Sequence, residues 1–561
     1  MVRELSRQFL AASLVSVLVL TGCNGGFSSV PSSTPITSAM VIQHVVVIFD
    51  ENESFDHYFG TYPNAQNLSG ETPFTAAAGT PTPNNFITNP TLLTANPNAS
   101  NTANATGAIN PFRLPPADAY LVTQSHSYAP EQQAFDNGAM DLFPASVGAS
   151  NAKLTSGVIV TSPAQVDTSG LTMGYFDGNT VTALWNYAQH YAISDHFFGT
   201  TFGPSTIGAI NLISGQTNGA VNAGNATSAL LPDGSGGYTV DVDAEPPGDT
   251  CSTGGSYYTM TGPNIGNLLT AANVSWGWFQ GGFNLAATNP PVPGSSVTTT
   301  NCQRTSYSSV MKLAQQDYVS RHEPFQFYTS TQNLLHTRPT STALIGTNSD
   351  AGNHQYDSND FLTALAAGNM PAVSYLKPPA YQDSHASNSD PLDEQTWIVT
   401  MVNAIEASPF WQNTAIIIAY DDSDGWYDHL NYVVNGSSNA TTGADSAICS
   451  SNSSVSSANA LPGVTPTTLH AQGRCGHGPR LPLLVISPWA NKNYVDSTPI
   501  DQTSILRFIE DTFLKGQRLG SGSYDSVSGS MNGLFNFTST TPPNPNVVLL
   551  NPATGVVTTG N

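Results

Sequence analysis

His44-Val45-Val46-Val47-Ile48-Phe49 opens on a histidine, continues as an unbroken apolar run, and ends at Asp50-Glu51-Asn52. A run that is apolar at every position, rather than at every second one, suits a strand buried on both faces, as in a parallel sheet covered by helices. Phe325 to Tyr328, Ala372 to Leu376, Thr414 to Tyr420 and Leu481 to Ile486 read the same way. Between several of them, Asp357 to Gly368, Leu392 to Ser408 and Asp501 to Phe513 carry apolar residues at helical spacing behind capping residues. This alternation predicts an α/β fold, a three-layer sandwich around a mostly parallel central sheet.

Ligands of such sheets bind at the carboxyl edge, where strands open into loops. Phe49 is followed by Asp50-Glu51-Asn52 and Tyr420 by Asp421-Asp422, while His336 and His385 come shortly after the runs near 328 and 376. One acidic residue after a strand is ordinarily a turn former or a helix cap, and one histidine is ordinarily structural. Carboxylates and an amide oxygen arriving from separate strands repel one another unless a hard cation neutralises them, so the pattern predicts one divalent metal ion. Asp421-Asp422-Ser423-Asp424-Gly425 is not a calcium-binding EF-hand loop, because its twelve residues would end in Tyr432 or Val433 instead of Glu.

In Thr201-Phe202-Gly203-Pro204-Ser205-Thr206, Gly and Pro make a tight turn and Ile207 to Ile213 has a helical pattern. Ser205 therefore falls at a helix N-terminus, where amide donors and the helix dipole favour an anion such as phosphate. Taken alone it reads as an ordinary N-cap serine. Beside a metal, the same hydroxyl becomes a nucleophile able to attack phosphorus.

The chain has 561 residues, with 15 Lys+Arg against 38 Asp+Glu, a net charge of −23, and 9% charged residues where about 25% is typical. Scattered basic residues exclude a nucleic-acid groove and a polybasic membrane patch. No Gly-Lys dipeptide occurs, which excludes a Walker A loop. Arg3 and Arg7, the apolar run Phe9 to Leu20, and Leu20-Thr21-Gly22-Cys23 read as an export signal with a bacterial lipobox. Residues 1–22 are then a signal peptide and 23–40 a linker after lipidated Cys23. The protein is expected to be exported, periplasmic or at the cell surface, touching membrane only through that anchor.

Cys251, Cys302, Cys449 and Cys475 make an even set in an exported chain. Two disulfides are expected, with sequence neighbours favoured (251 with 302, 449 with 475) and two other pairings open. Zinc is disfavoured because no C-x-x-C pair occurs. Segments 64–118, 217–305 and 436–473, rich in Ser, Thr, Asn, Gly and Pro, read as insertions on a catalytic domain spanning 41–533, followed by a polar tail at 534–561.

Val41 to Val47 running into Glu51-Asn52-Glu53-Ser54-Phe55-Asp56-His57-Tyr58-Phe59-Gly60 resembles the opening motif of bacterial phosphoesterases of the phospholipase C and acid phosphatase type, in the alkaline-phosphatase-like superfamily. The likeness continues through His126, Phe135-Asp136-Asn137-Gly138, Gly203-Pro204-Ser205, His336-Thr337-Arg338-Pro339, Asn353-His354-Gln355-Tyr356-Asp357 and Tyr381-Gln382-Asp383-Ser384-His385. Later blocks are Asp390 to Gln395, Tyr420 to His429 and Gly478-Pro479-Arg480-Leu481-Pro482. By resemblance, Glu51, Asn52, Asp421 and Asp422 hold the metal and Ser205 completes its coordination as nucleophile. His126, His336 and His385 line the phosphate pocket, with His354 a further candidate. The family often shows His-His before the Arg-Pro region, whereas Leu335 precedes His336 here.

The resemblance implies a phosphate ester substrate, hydrolysed through a phosphoserine. With so few Lys and Arg, histidines are the expected source of positive charge, and their ordinary pKa near 6.5 predicts an acidic optimum. Monoester hydrolysis by an acid phosphatase is the first reading, because only a short polar stretch follows the helix ending near 515. A phospholipase C acting on phosphodiesters is the second. A sulfatase is excluded because Ile207 and Ala209 stand where its formylglycine motif needs Pro and Arg after Ser205. The reading of another class is a surface lipoprotein that binds without turnover.

Overall fold

The computed structural model describes residues 37–151, 167–225, 229–232, 238–240, 242–432 and 476–559. The signal segment, Cys23, Cys449, Cys475 and the 436–473 insertion lie outside the described residues.

Eight strands form the central sheet: β1 (His44–Asp50), β2 (Ala192–Ser194), β3 (Trp276–Gln280), β4 (Gln355–Asp357), β5 (Val373–Lys377), β6 (Thr414–Tyr420), β7 (Leu483–Ile486) and β8 (Tyr494–Asp496). Their order is β4-β3-β5-β1-β6-β7-β2-β8. β7 is antiparallel to both neighbours, and every other pairing is parallel. β1 lies at the centre, in register with β5 from Val45↔Val373 and with β6 from His44↔Thr414 to Asp50↔Tyr420. Apart from half-buried His44, β1, β5 and β6 are buried at every position, each large aliphatic side chain contributing roughly 1.5–3 kcal/mol.

Seven helices of five residues or more bear on the site and the layers: α1 (Phe55–Phe59), α2 (Tyr128–Phe135), α3 (Thr182–His190), α4 (Ser205–Ser214), α5 (Ser358–Ala366), α6 (Pro391–Glu406) and α7 (Gln502–Phe513). They cover both faces of the sheet. Register sets Val47, Tyr375 and Ile417 on one face, where Tyr375 comes within electrostatic reach of Glu510 on α7. Tyr420 is an odd step along β6 from Ile417 and points to the opposite face, where its hydroxyl bonds Glu394 of α6. This is the expected three-layer α/β sandwich.

Details depart from the sequence reading. Phe325 to Tyr328, read as a strand, lies largely in a 3-10 turn at Pro324–Phe327, since proline fixes the backbone and cannot donate to a ladder. β3 lies inside the 217–305 segment read as an insertion. The remainder of that segment includes a four-stranded antiparallel sheet built from Leu230–Pro232, Tyr238–Val240, Asn218–Gly224 and Tyr257–Met260. The Cys251–Cys302 disulfide is formed, with Cα atoms 5.2 Å apart. The C-terminal segment is docked: Val548 N–H donates to Glu406, and Asn403 donates to the Leu550 carbonyl.

Candidate active site

β1 and β6 end side by side, and their first loop residues are tied together. Asp421 N–H donates to the Asp50 carbonyl at 3.2 Å. Asp421 Oδ1 accepts from Asn52 N at 3.0 Å and Asp422 N at 2.8 Å. Asn52 takes a left-handed backbone (φ 69°), a conformation asparagine tolerates better than most residues, and its amide donates to Asp424 at 3.0 Å. Its Oδ1 is thereby turned toward Ser205.

Ser205 is the first residue of α4 and only 1% exposed. Its hydroxyl lies 3.2 Å from Asp422 Oδ2 and 3.5 Å from Asn52 Oδ1. The helix can press this close because Gly208 has no side chain: a Cβ there would fall 2.2 Å from the Asp421 carbonyl oxygen. Glu131 braces the turn before the helix, accepting from Gly203 N at 2.8 Å and from Ser423 Oγ at 2.9 Å. Burial pushes its carboxyl up to about 8.

Glu51 completes the acidic group. Its carboxylate lies 2.9 Å from His322 Nδ1 and against the ammonium of Lys377, which in turn is 3.8 Å from Asp421 Oδ2. Burial alone would raise Glu51; His322 and Lys377 hold it well below the usual carboxylate range. Burial, reinforced by repulsion from Glu51 and Asp422, pushes Asp421 well above that range, and burial lifts Asp422 to about 7.

The donor set fits a divalent metal. Asp421 Oδ2 is buried with no hydrogen-bond partner, Asn52 Oδ1 accepts only the long bond from Ser205, and all the candidate donors are hard oxygens. Glu51, His322 and Asp383 also bring potential ligand atoms within 4.8 Å of one another.

Three histidines gather here. His126 Nδ1 is 2.9 Å from Asp424 Oδ1; against burial, Asp422 and Asp424 hold it well above its ordinary pKa. The His385 ring centre lies 5.8 Å from that of His126 and 6.4 Å from that of His322. His385 Nδ1 bonds the Ala386 carbonyl at 2.7 Å, so that nitrogen carries the proton. Burial lowers both His385 and His322, the latter to about 4.

Two histidines expected in the pocket have other surroundings. His336 bonds Asp249 at 3.1 Å and the Phe283 carbonyl at 2.9 Å and stacks on Phe283. Both ring nitrogens are thus engaged beside the Cys251–Cys302 disulfide. His354 bonds the Trp276 carbonyl and stacks on that indole, 4.3 Å between centres. Sequence reasoning missed His322 and Lys377. His322 sits in a short 3-10 turn, Ser320–His322, that leaves no periodic signal. Lys377 directly follows the apolar run of β5, a rare charge at a strand end that was legible but unused.

A hydroxyl, four oxygen donors that could hold a metal and three histidines stand at the carboxyl edge of this α/β sandwich's sheet, the class of arrangement that ester hydrolysis requires. The chain belongs to the phosphoesterase family, whose model matches residues 42–514. It is similar to non-hemolytic phospholipase C of Burkholderia pseudomallei (24% identity over 91% of this chain and 61% of the relative). It is also similar to phospholipase C A of Mycobacterium tuberculosis (24% identity over 90% of this chain and 78% of the relative). The chain spans less than two thirds of the Burkholderia relative's length. Murine ectonucleotide pyrophosphatase/phosphodiesterase 5 aligns with a TM-score of 0.30 and 10% identity over 64% of this chain and 95% of its own.

Proposed function

We propose that this chain is an exported phosphoric ester hydrolase that attacks phosphorus with Ser205, and that its substrates are phosphodiesters of the phospholipase C type. The observation that carries the reading is the Ser205 hydroxyl, held 3.2 Å from Asp422 and 3.5 Å from Asn52 at the start of a buried helix. Glu51, Asn52, Asp421, Asp422 and Ser205 would hold the divalent cation, which when bound lowers the pKa of a coordinated hydroxyl and neutralises phosphoryl charge.

The chain's own groups supply the rest. Asp422 and Asn52 aim the Ser205 oxygen at phosphorus. His126, kept positive by Asp422 and Asp424, offers charge to the phosphoryl oxygens. His322 and His385 each commit Nδ1 to an acceptor, leaving an unprotonated Nε2 to take the proton from the attacking Ser205 hydroxyl, hand it to the departing alkoxide and later take one from water. The Ser–phosphorus bond forms as the phosphorus–alkoxide bond breaks, and water then cleaves the phosphoserine ester.

The sequence favoured monoesters; the similarity to proteins named phospholipase C reverses that order. Residues 1–23 support export with a lipid anchor at Cys23, and no helix among the described residues is long and apolar enough to cross a membrane. Turnover of an aryl phosphorylcholine and an aryl phosphate, each with and without chelator and beside Ser205→Ala, tests the reading. Loss of turnover in both controls supports it, the preferred ester separates the two substrate classes, and turnover surviving both controls overturns it.

A further inference from the structure

The accessory sheet of the 217–305 segment returns the chain to the nucleophile. Its Tyr238–Val240 strand is tied to the end of α4 by Val240 N–H donating to the Thr217 carbonyl at 3.1 Å. Three residues later, Asp243 Oδ1 accepts from Thr206 N–H at 3.0 Å. A carboxylate thus occupies an amide of the first turn of the Ser205 helix, one residue from the hydroxyl. Helix N-termini favour anions, so the position is one a free phosphate dianion would otherwise contest.

Asp243 is more open to solvent than the nucleophile. Its side chain is 27% exposed and that of Arg321 is 32% exposed, whereas Ser205 is 1% exposed. Arg321 Nε lies 3.5 Å from Asp243 Oδ2 and Arg321 Nη1 3.9 Å from Glu245 Oε1, so one guanidinium faces two carboxylates. The charges of Arg321, His126 and His322 all act on Asp243, so it lies within electrostatic reach of both histidines. The balance of Asp243, Glu245 and Arg321 is negative.

We propose that Asp243 is a specificity-determining residue: its carboxylate selects phosphodiesters whose retained headgroup carries an ammonium charge and disfavours dianionic monoesters, with Arg321 moderating that charge. This deepens the phosphodiesterase reading and rests on it. Quaternary and primary ammonium headgroups share the recognised chemistry. A unit charge about 7 Å away in a partly solvated pocket shifts an affinity by roughly tenfold or more.

The test compares 4-nitrophenyl phosphorylcholine with 4-nitrophenyl 3,3-dimethylbutyl phosphate, the same shape without the charge. Wild type should prefer the choline ester in kcat/KM. Asp243→Asn keeps an oxygen for Thr206 N–H but loses the charge, and should lower the choline-to-dimethylbutyl ratio by about tenfold. Arg321→Gln should raise that ratio, so the two variants move in opposite directions and either can be read if the other does not fold. Calorimetric binding of phosphorylcholine and of inorganic phosphate to Ser205→Ala, with and without Asp243→Asn, should give the same change without turnover. A ratio within twofold of wild type in the variants, while turnover still needs Ser205, overturns the role of Asp243 and leaves the phosphodiesterase reading standing. Absence of any Ser205-dependent turnover in wild type removes both.

Discussion

Asp422 Oδ2 accepts the Ser205 hydroxyl at 3.2 Å, although the two residues lie 217 positions apart in the chain. The contact joins the end of β6 to the start of α4, and the bare face of Gly208 makes the approach possible. Placing one methyl there forces α4 away from Asp421. Gly208→Ala should therefore lower kcat/KM by at least about a hundredfold through misplacement of the hydroxyl. Kinetics with either aryl ester, alongside circular dichroism to confirm folding, checks it; near-wild-type turnover would contradict the packing argument.

The histidines divide by their partners. His126→Asn and His322→Ala remove groups set around Glu51, Asp422 and Asp424, and each should cost about 100-fold or more in kcat/KM, with His322→Ala also lowering the melting temperature because it strips buried Glu51 of a partner. His336→Asn removes the ring that ties Asp249 to the Phe283 carbonyl. It should lower the melting temperature while keeping most of kcat/KM. A His336 variant that is stable but inactive would restore the role the sequence suggested for it.

Lys377 and a divalent cation answer the same need, compensation of Glu51 and Asp421. Chelator should abolish turnover and lower the melting temperature of wild type. Lys377→Met leaves the buried carboxylates with one cation fewer, costing about 3–5 kcal/mol. The loss should be larger in chelator than with divalent ions present. Melting curves that ignore chelator in both proteins would contradict a metal at this site.

Glu406 gives a pH test remote from the chemistry. Burial lifts its carboxyl to about 7 from 4.5, against donation from Tyr191 Oη and Val548 N. The folded state therefore holds the proton more tightly than the unfolded chain. Its contribution is complete below about pH 4.5 and is lost as pH rises through about 7. Glu406→Gln can accept from Val548 and donate to the Tyr191 oxygen, so it should gain up to about 3 kcal/mol on wild type between pH 5 and pH 8. Denaturant titrations at those pH values read the difference; a constant gap would refute it.

Much of the fold was legible because β1, β5 and β6 are mostly apolar runs that lead directly into charged residues at Asp50, Lys377 and Asp421. β2, β4 and β8 are three residues each and too short to leave a period, and β3 was hidden by its polar surroundings. The same contrast holds at the site. Glu51, Asn52, Asp421 and Asp422 follow long strands, and Ser205 follows a Gly-Pro turn, so all five were named. His322 comes from a 3-10 turn, and only packing brings it to Glu51. His336 stands in a motif that looks functional, yet its neighbours are Asp249, Phe283 and Tyr318. A residue's type and spacing show that it has a fixed role; they do not say which partners fix it.

The central claim is that Ser205 forms a covalent bond to phosphorus. Rapid acid quenching of enzyme turning over 4-nitrophenyl phosphorylcholine, followed by peptide mass spectrometry, should find the phosphorylcholine group on Ser205 and on no other residue. Full turnover by Ser205→Ala, or an adduct on a different side chain, would contradict the account.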